Sequence, residues 1–182
     1  MSNEELLKMY EAIKADPGEL VRAAARKRLI NFARYMQPDL VLEPFHVVYY
    51  TLLDMFAHGK IRKMIVQQPP QHGKSEGSSR KLPAFMLGLD PDRKICIGSY
   101  AATIARDFNR DVQRIIDTPR YRELFPGTYL NGSNVVTMAN TYLRNSDVIE
   151  MVGRKGSLRV VGRGGSLTSK TVDVSILDDV YK

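Results

Sequence analysis

The sequence predicts an α/β fold built on a mostly parallel sheet with flanking helices. Three observations predict it. Short apolar runs at residues 62–67, 94–98 and 172–177 have the length and composition of buried strands. The first two are each followed by a longer segment with apolar residues at helical spacing. Strand then helix, repeated, is the pattern of βαβ units, whose crossovers make neighbouring strands parallel. The chain has 182 residues, enough for one sizeable core.

Composition narrows the function classes. The net charge is +7, from 27 Lys and Arg against 20 Asp and Glu. That balance suits a polyanionic partner but does not specify one. A single cysteine, Cys96, excludes an internal disulfide and fits a reducing compartment. The N-terminus, Met1-Ser2-Asn3-Glu4-Glu5, is polar and lacks the apolar stretch of a secretory signal. No apolar run is long enough to span a bilayer, so no membrane partner is expected. His46, His58 and His72 have no His or Cys at ligand spacing, which argues against a metal held by protein ligands alone.

Taken in order, residues 3–15 carry Leu6, Leu7, Tyr10 and Ile13 at helical spacing. Asp16 and Pro17 stop that helix and start another, which runs to about Met36. Its apolar face holds Val21, Ala25, Leu29, Phe32 and Met36. Its basic face holds Arg22, Arg26, Lys27 and Arg34 and is read as solvated rather than DNA-facing. Glu43 and Pro44 open a further helix that ends near His58, with Gly59 as its terminating glycine. After the strand at 62–67, a helix is expected from Lys74 to about Leu87, kinked by Pro83. The strand at 94–98 leads into a helix at 101–117 with Ile104, Phe108, Val112 and Ile115 on one stripe. Residues 120–125 suggest one helical turn before Pro126 and Gly127. Two strands, 147–152 and 157–161, flank a hairpin turn at 153–156.

The segment joining the first strand to its helix reads Gln68-Pro69-Pro70-Gln71-His72-Gly73-Lys74-Ser75-Glu76. Gly-Lys-Ser at a helix start suits a phosphate. Unpaired backbone N–H groups and the helix dipole both favour an anion there. Gly73 allows close backbone approach, Lys74 would reach the β- and γ-phosphates, and Ser75 would hold Mg²⁺. The full G-x-x-x-x-G-K-[ST] pattern wants glycine where Gln68 stands, so the tripeptide alone also fits a surface turn.

A second feature makes the first more specific. The last apolar run ends in Asp178 and Asp179. In an open parallel sheet, ligands bind at the carboxyl ends of the strands. Asp178 should therefore emerge beside Gly73-Lys74-Ser75 and hold Mg²⁺ opposite Ser75, while Asp179 orients or deprotonates an attacking water. Ahead of this strand, residues 151–172 carry Arg154, Lys155, Arg159, Arg163 and Lys170 with no acid. An arginine from this stretch could stabilise a transferring phosphoryl group or contact a nucleic-acid phosphate; a solvated basic hairpin is the alternative.

From about Glu43 to Lys182 the chain resembles the ATPase domain of the terminase large subunit of tailed phages. The pieces that carry the resemblance come in order. They are Glu43-Pro44-Phe45-His46, the loop from Pro69 to Glu76, and Ile97-Gly98-Ser99-Tyr100 followed by Asp107-Phe108. Next are Tyr121-Arg122-Glu123-Leu124-Phe125-Pro126-Gly127, Gly164-Gly165-Ser166-Leu167-Thr168, and Ile176-Leu177-Asp178-Asp179-Val180-Tyr181-Lys182. The resemblance implies a three-layer P-loop NTPase of the additional-strand class that uses ATP and Mg²⁺. Gly73, Lys74 and Ser75 match its phosphate loop, Asp178 its Mg²⁺-associated acid, and Phe45 and His46 its adenine contact. The family often places arginine where Gln71 stands; by sequence, Arg163 and Arg154 are the nearest substitutes. Asp179 occupies the position where many relatives carry a catalytic glutamate.

The resemblance further implies a motor that drives double-stranded viral DNA into a procapsid in the host bacterial cytoplasm. Its partners would be a portal protein, a small terminase subunit and further copies of the chain in a ring. Residues 1–42 are read as an N-terminal helical extension and 43–182 as the ATPase domain, with a sheet incomplete at its C-terminal side. Nucleotide binding with weak or no turnover, and no nuclease activity, is expected. Two other readings stand beside this one: a helicase-like P-loop ATPase, and a non-catalytic assembly module that docks through its N-terminal helices.

Overall fold

A computed structural model describes residues 2–136, 141–165 and 171–181. Its elements in chain order are α1 (Asn3–Ala15), α2 (Gly18–Lys27), α3 (Leu29–Met36), α4 (Pro44–Ala57), a π-helix (Glu76–Lys81) and α5 (Leu82–Leu89). They continue with β1 (Lys94–Ser99), α6 (Ala102–Asp117), α7 (Pro119–Leu124), β2 (Val148–Glu150), β3 (Ser157–Gly162) and β4 (Val174–Asp178). The fold is α/β. The sheet order is β2-β3-β1-β4, with β1 parallel to both β3 and β4 and β2 antiparallel on β3. Register sets Ser99 opposite both Gly162 and Asp178, so three strands end on one edge.

Register also sorts the faces. Ile95, Ile97, Leu158, Val160 and Ile176 share one face and join Phe85, Phe108 and Val112 of the helices in a single core. The opposite face carries Cys96, Gly98, Val161, Ser175 and Leu177, and Leu177 is 70% exposed. Among the described residues, the helices named join the core on the first face, while Cys96 on the other face is also buried. The helices before and after β1 lie on the same side of the sheet, and the link from β3 past β1 to β4 holds no described helix. Ser166, Leu167, Thr168, Lys170 and Lys182 lie outside the described residues.

The expected strand at 62–67 does not form. Met64 and Val66 turn toward the core while Ile65 is 92% exposed, so the alternation of a half-buried strand is present. A cleft of about 540 Å³ separates this segment from β4. Without a neighbour at hydrogen-bonding distance there is no ladder to satisfy its backbone, and strand propensity alone does not supply one.

The helix expected to run to Met36 is broken at Arg28, whose backbone is extended at φ −135° and ψ 129°. Asp54 of α4 causes the break. Its buried carboxylate accepts the Leu29 N–H at 2.8 Å and lies 3.1 Å from Arg28 Nε, which caps α3 from another helix. Asp54→Ala is expected to cost about 1–3 kcal/mol, because it leaves a buried donor without its acceptor. Urea unfolding reads this directly, and a loss below about 0.5 kcal/mol would contradict it. On the basic face of α2, Arg22 pairs with Asp16 and Glu19, and Arg26 pairs with Glu19, as a solvated face would.

Residues of α2 and α3, N-terminal to position 43, belong to the same core. Ala25, Leu29, Phe32 and Ala33 are fully buried. The Phe32 ring lies 5.4 Å from Phe85 and 6.1 Å from both Tyr121 and Phe125, centroid to centroid. Tyr121 donates its hydroxyl to the Ala84 carbonyl at 2.8 Å, which satisfies its one polar atom.

Helical backbone runs unbroken from Lys74 to Leu89, as expected, but residues Glu76–Lys81 are in π register. Pro83 explains it. Proline has no N–H for the carbonyl four residues back and its ring crowds that carbonyl. Widening the turn relieves both, and the Leu82 N–H accordingly bonds the Gly77 carbonyl five residues back. No helix among the described residues is long and apolar enough to cross a membrane.

Candidate functional site

The loop before this helix turns twice in the left-handed region, at Gln71 (φ 63°) and Gly73 (φ 74°). Glycine accepts that conformation freely; a glutamine held there is strained by about 1 kcal/mol or more. Tyr49 of α4 supports the loop from beneath. Its hydroxyl donates to the Lys74 carbonyl at 2.6 Å, and Ser78 donates to the same oxygen at 2.9 Å. Burial pushes the Tyr49 phenol up to about 12, so it stays a neutral donor. A side chain at Gly77 would strike the Tyr49 ring, so the π-helix and α4 approach closely only because residue 77 is glycine. Tyr49→Phe is expected to lower stability by about 0.5–1.5 kcal/mol and to weaken any ligand held by the loop. Unchanged stability and binding would show that this contact does not position it.

Across the cleft stand the acids that end β4. Asp178 is 4% exposed and accepts the Ser79 hydroxyl at 2.7 Å. Lys74 Nζ lies 3.5 Å from Asp178 Oδ1 and forms an ion pair with Asp179, a residue 105 positions away in sequence. Asp179 adopts a left-handed φ of 45°, and its carbonyl accepts the Tyr100 N–H at 3.1 Å, which ties it to the end of β1. The hydrogen bond to Asp179 raises the Lys74 pKa, with desolvation opposing and Asp178 adding to the rise. A folded pKa above the unfolded value gives stability that is complete below the ordinary lysine range and lost only as pH rises through the raised value. Lys74 is therefore cationic throughout the range from about pH 6 to about pH 9. A ligand that depends on its charge should show no Lys74 titration there, and an inflection removed by Lys74→Arg would contradict this.

Most of the expected site residues meet here. Gln68, Pro69, Pro70, Gln71, Gly73, Lys74, Ser75, Glu76 and Asp179 line one cleft of about 460 Å³. Phe45, His46 and His72 gather on its flank: the Phe45 ring lies 3.9 Å from His46 and 5.6 Å from His72, centroid to centroid. His46 abuts Gly73 and accepts the Glu43 N–H at 3.0 Å, which fixes its ring at the start of α4. Ser75 lines the cleft, but the hydroxyl bonded to Asp178 belongs to Ser79, one turn further on. Glu76 faces its own helix, 3.1 Å from Lys81 Nζ and 3.6 Å from an Arg80 nitrogen.

The two candidate arginines separate. Arg163 follows β3 at the edge that carries Asp179, with its N–H on the Tyr100 carbonyl at 3.3 Å and its side chain exposed. Arg154 does not belong to this site. Its hairpin is pinned to the turn before β1, where Gly156 N–H donates to the Pro91 carbonyl at 3.1 Å and Lys155 N–H to Asp92 at 2.7 Å. That is the amino end of β1, the opposite edge of the sheet. There, Lys94, Arg154, Lys155 and Arg159 line a separate depression of about 420 Å³ with Glu150.

Three contributors were not singled out from the sequence. Ser79 carried a signal, since it lies four residues after Ser75 on the same helix. Arg80 lines the cleft from that helix. Tyr49 carried no signal, because its role depends on how α4 packs.

The donor set suits a particular ligand chemistry. No group of three His, Cys, Asp or Glu side chains able to hold a metal occurs among the described residues. Mg²⁺ does not need one: it keeps several waters and is held by one or two protein oxygens together with phosphates. One buried carboxylate and one serine hydroxyl beside an ammonium, at a helix start, fit that case. Comparison with family models, with curated proteins and with solved structures finds no match to this chain.

Proposed function

We propose that the chain is an ATP-binding motor domain of the terminase large subunit type, which uses Mg-ATP to move double-stranded viral DNA. One observation carries the reading: Lys74, at the helix start, meets both Asp178 and Asp179, at the end of a parallel strand far along the chain. Cation and carboxylates on facing walls are what a Mg-nucleotide requires, the ammonium and helix amides for phosphate and the acids for the metal's water shell. In this reading Ser75 and Asp178 hold Mg²⁺, Asp179 orients the attacking water, and Arg163 is placed to approach the terminal phosphate. Phe45 and His46, with His72, offer the base a stacking surface. Portal protein, small subunit and a ring of copies are the partners that follow.

Asp178→Asn tests it. The variant should lose the gain in ATP affinity that Mg²⁺ brings while metal-free binding persists. An unchanged Mg²⁺ effect would contradict the role given to Asp178. The DNA part is tested separately at the basic depression around Arg154 and Arg159. A mobility shift with duplex DNA should weaken steeply with added salt, because phosphate contacts release counterions. A flat salt response would remove DNA from the proposal.

A second reading has its own observation. Leu6, Leu7 and Tyr10 of α1 and Leu20 and Val21 of α2 are all at least 43% exposed, an apolar surface that suits a protein partner. A chain that binds no nucleotide but captures a portal or small subunit would favour an assembly module.

A further inference from the structure

Lys74 faces Asp178 and Asp179, and Glu76 lines the loop cleft together with Lys74 and Asp179. Gln71 adds no charge. Among the described residues one other cation lines this cleft: Arg80, from the π-helix.

The Arg80 side chain is held from two sides. Nε donates to Asp111 Oδ2 of α6 at 2.7 Å, and the guanidinium carbon lies 5.1 Å from the centre of the Phe108 ring. Asp111 is itself fixed by Arg114 at 2.9 Å. Guanidinium has five N–H donors. Among the described residues only Nε makes a hydrogen bond; an outer nitrogen lies 3.6 Å from Glu76, an ion pair without a hydrogen bond. An arginine whose inner nitrogen is anchored and whose outer fork makes no hydrogen bond is pre-organised for a bidentate oxyanion. The π register contributes, since it sets which side chains of residues 76–81 face the cleft.

We propose that Arg80 is a second phosphate-binding cation of this cleft, and that Asp111 and Phe108 position it. It supplies the charge that Gln71 does not. The ligand class is a nucleoside di- or triphosphate, and the inference rests on the nucleotide reading above.

Fluorescence titration with Mg-ATP, Mg-ADP and AMP tests it, using wild type, Arg80→Gln, Arg80→Lys, Asp111→Asn and Lys74→Ala. Loss of a charge-assisted bond should weaken Mg-ATP and Mg-ADP by about 10–100-fold in Arg80→Gln. AMP, lacking the outer phosphates, should change by less than about threefold. Arg80→Lys should recover part of the loss, and Asp111→Asn should lose part of it, with the melting temperature of Arg80→Lys close to wild type. A general structural role would instead weaken all three nucleotides alike. If Arg80→Gln binds Mg-ATP within about twofold of wild type while Lys74→Ala does not bind, Arg80 is not a phosphate ligand and the nucleotide reading stands. If wild type binds none of the three, both fall.

Discussion

Replacing Lys74 by alanine is expected to weaken Mg-ATP binding by at least about 100-fold. Among the described residues the ammonium is the one cation that reaches both carboxylates ending β4, so it sits where the phosphates and their metal would meet. A charge-assisted bond to an anion contributes about 1.5–3 kcal/mol, and the missing cation also leaves Asp178 and Asp179 to repel the ligand. The variant should still fold. Lys74 is not among the buried residues, and Asp178 keeps its hydrogen bond from Ser79. A circular dichroism melt recorded beside the titration separates loss of site from loss of fold. Lys74→Arg should retain part of the affinity, since charge is kept while the reach of the side chain changes. Binding of Mg-ATP by Lys74→Ala at wild-type strength would place the nucleotide elsewhere or nowhere.

Phe32→Ala is expected to have the largest effect on stability. The ring is fully buried and touches three other aromatic rings contributed by α5, α7 and the residue just after α7. Truncation removes the transfer free energy of the ring and leaves a cavity that rigid neighbours cannot fill, at a cost of about 3–5 kcal/mol. In a domain of this size that lowers the melting temperature by roughly 6–20 °C. The result also bears on organisation. Residues 1–42 read in sequence as an extension, yet Phe32 belongs to the same core as Phe85. A shift of less than about 2 °C would mean that α3 packs loosely and is dispensable.

What was legible in the sequence follows from which forces are local. The helix beginning at Lys74, the strand at Lys94–Ser99, the hairpin turn at Gly153 and the pair Asp178 and Asp179 all rest on periodicity, apolar runs and turn residues. The meeting of Lys74 with the two acids was legible in part: β4 ends at the expected edge, but the strand expected to deliver Lys74 there does not form. Four things were not legible. Residues 62–67 have a strand's alternation, but whether they pair depends on a neighbouring edge, and a cleft lies there instead. The break at Arg28 is made by Asp54, a residue from a later helix. Arg154 and Arg163 are near in sequence but belong to opposite edges of the sheet, since β3 runs the full width between them. Arg80 reads in sequence as one more basic residue on a helix. Only the packing of α6 shows its inner nitrogen anchored and its outer fork without a hydrogen bond.

The claim at the centre is that the Lys74, Asp178 and Asp179 cluster is a Mg-dependent nucleotide site. Calorimetric titration of the wild-type chain with ATP, with Mg²⁺ and then with the metal chelated, tests it most directly. The account predicts saturable binding at one site that is tighter with Mg²⁺. Absence of saturable heat in both conditions would contradict it.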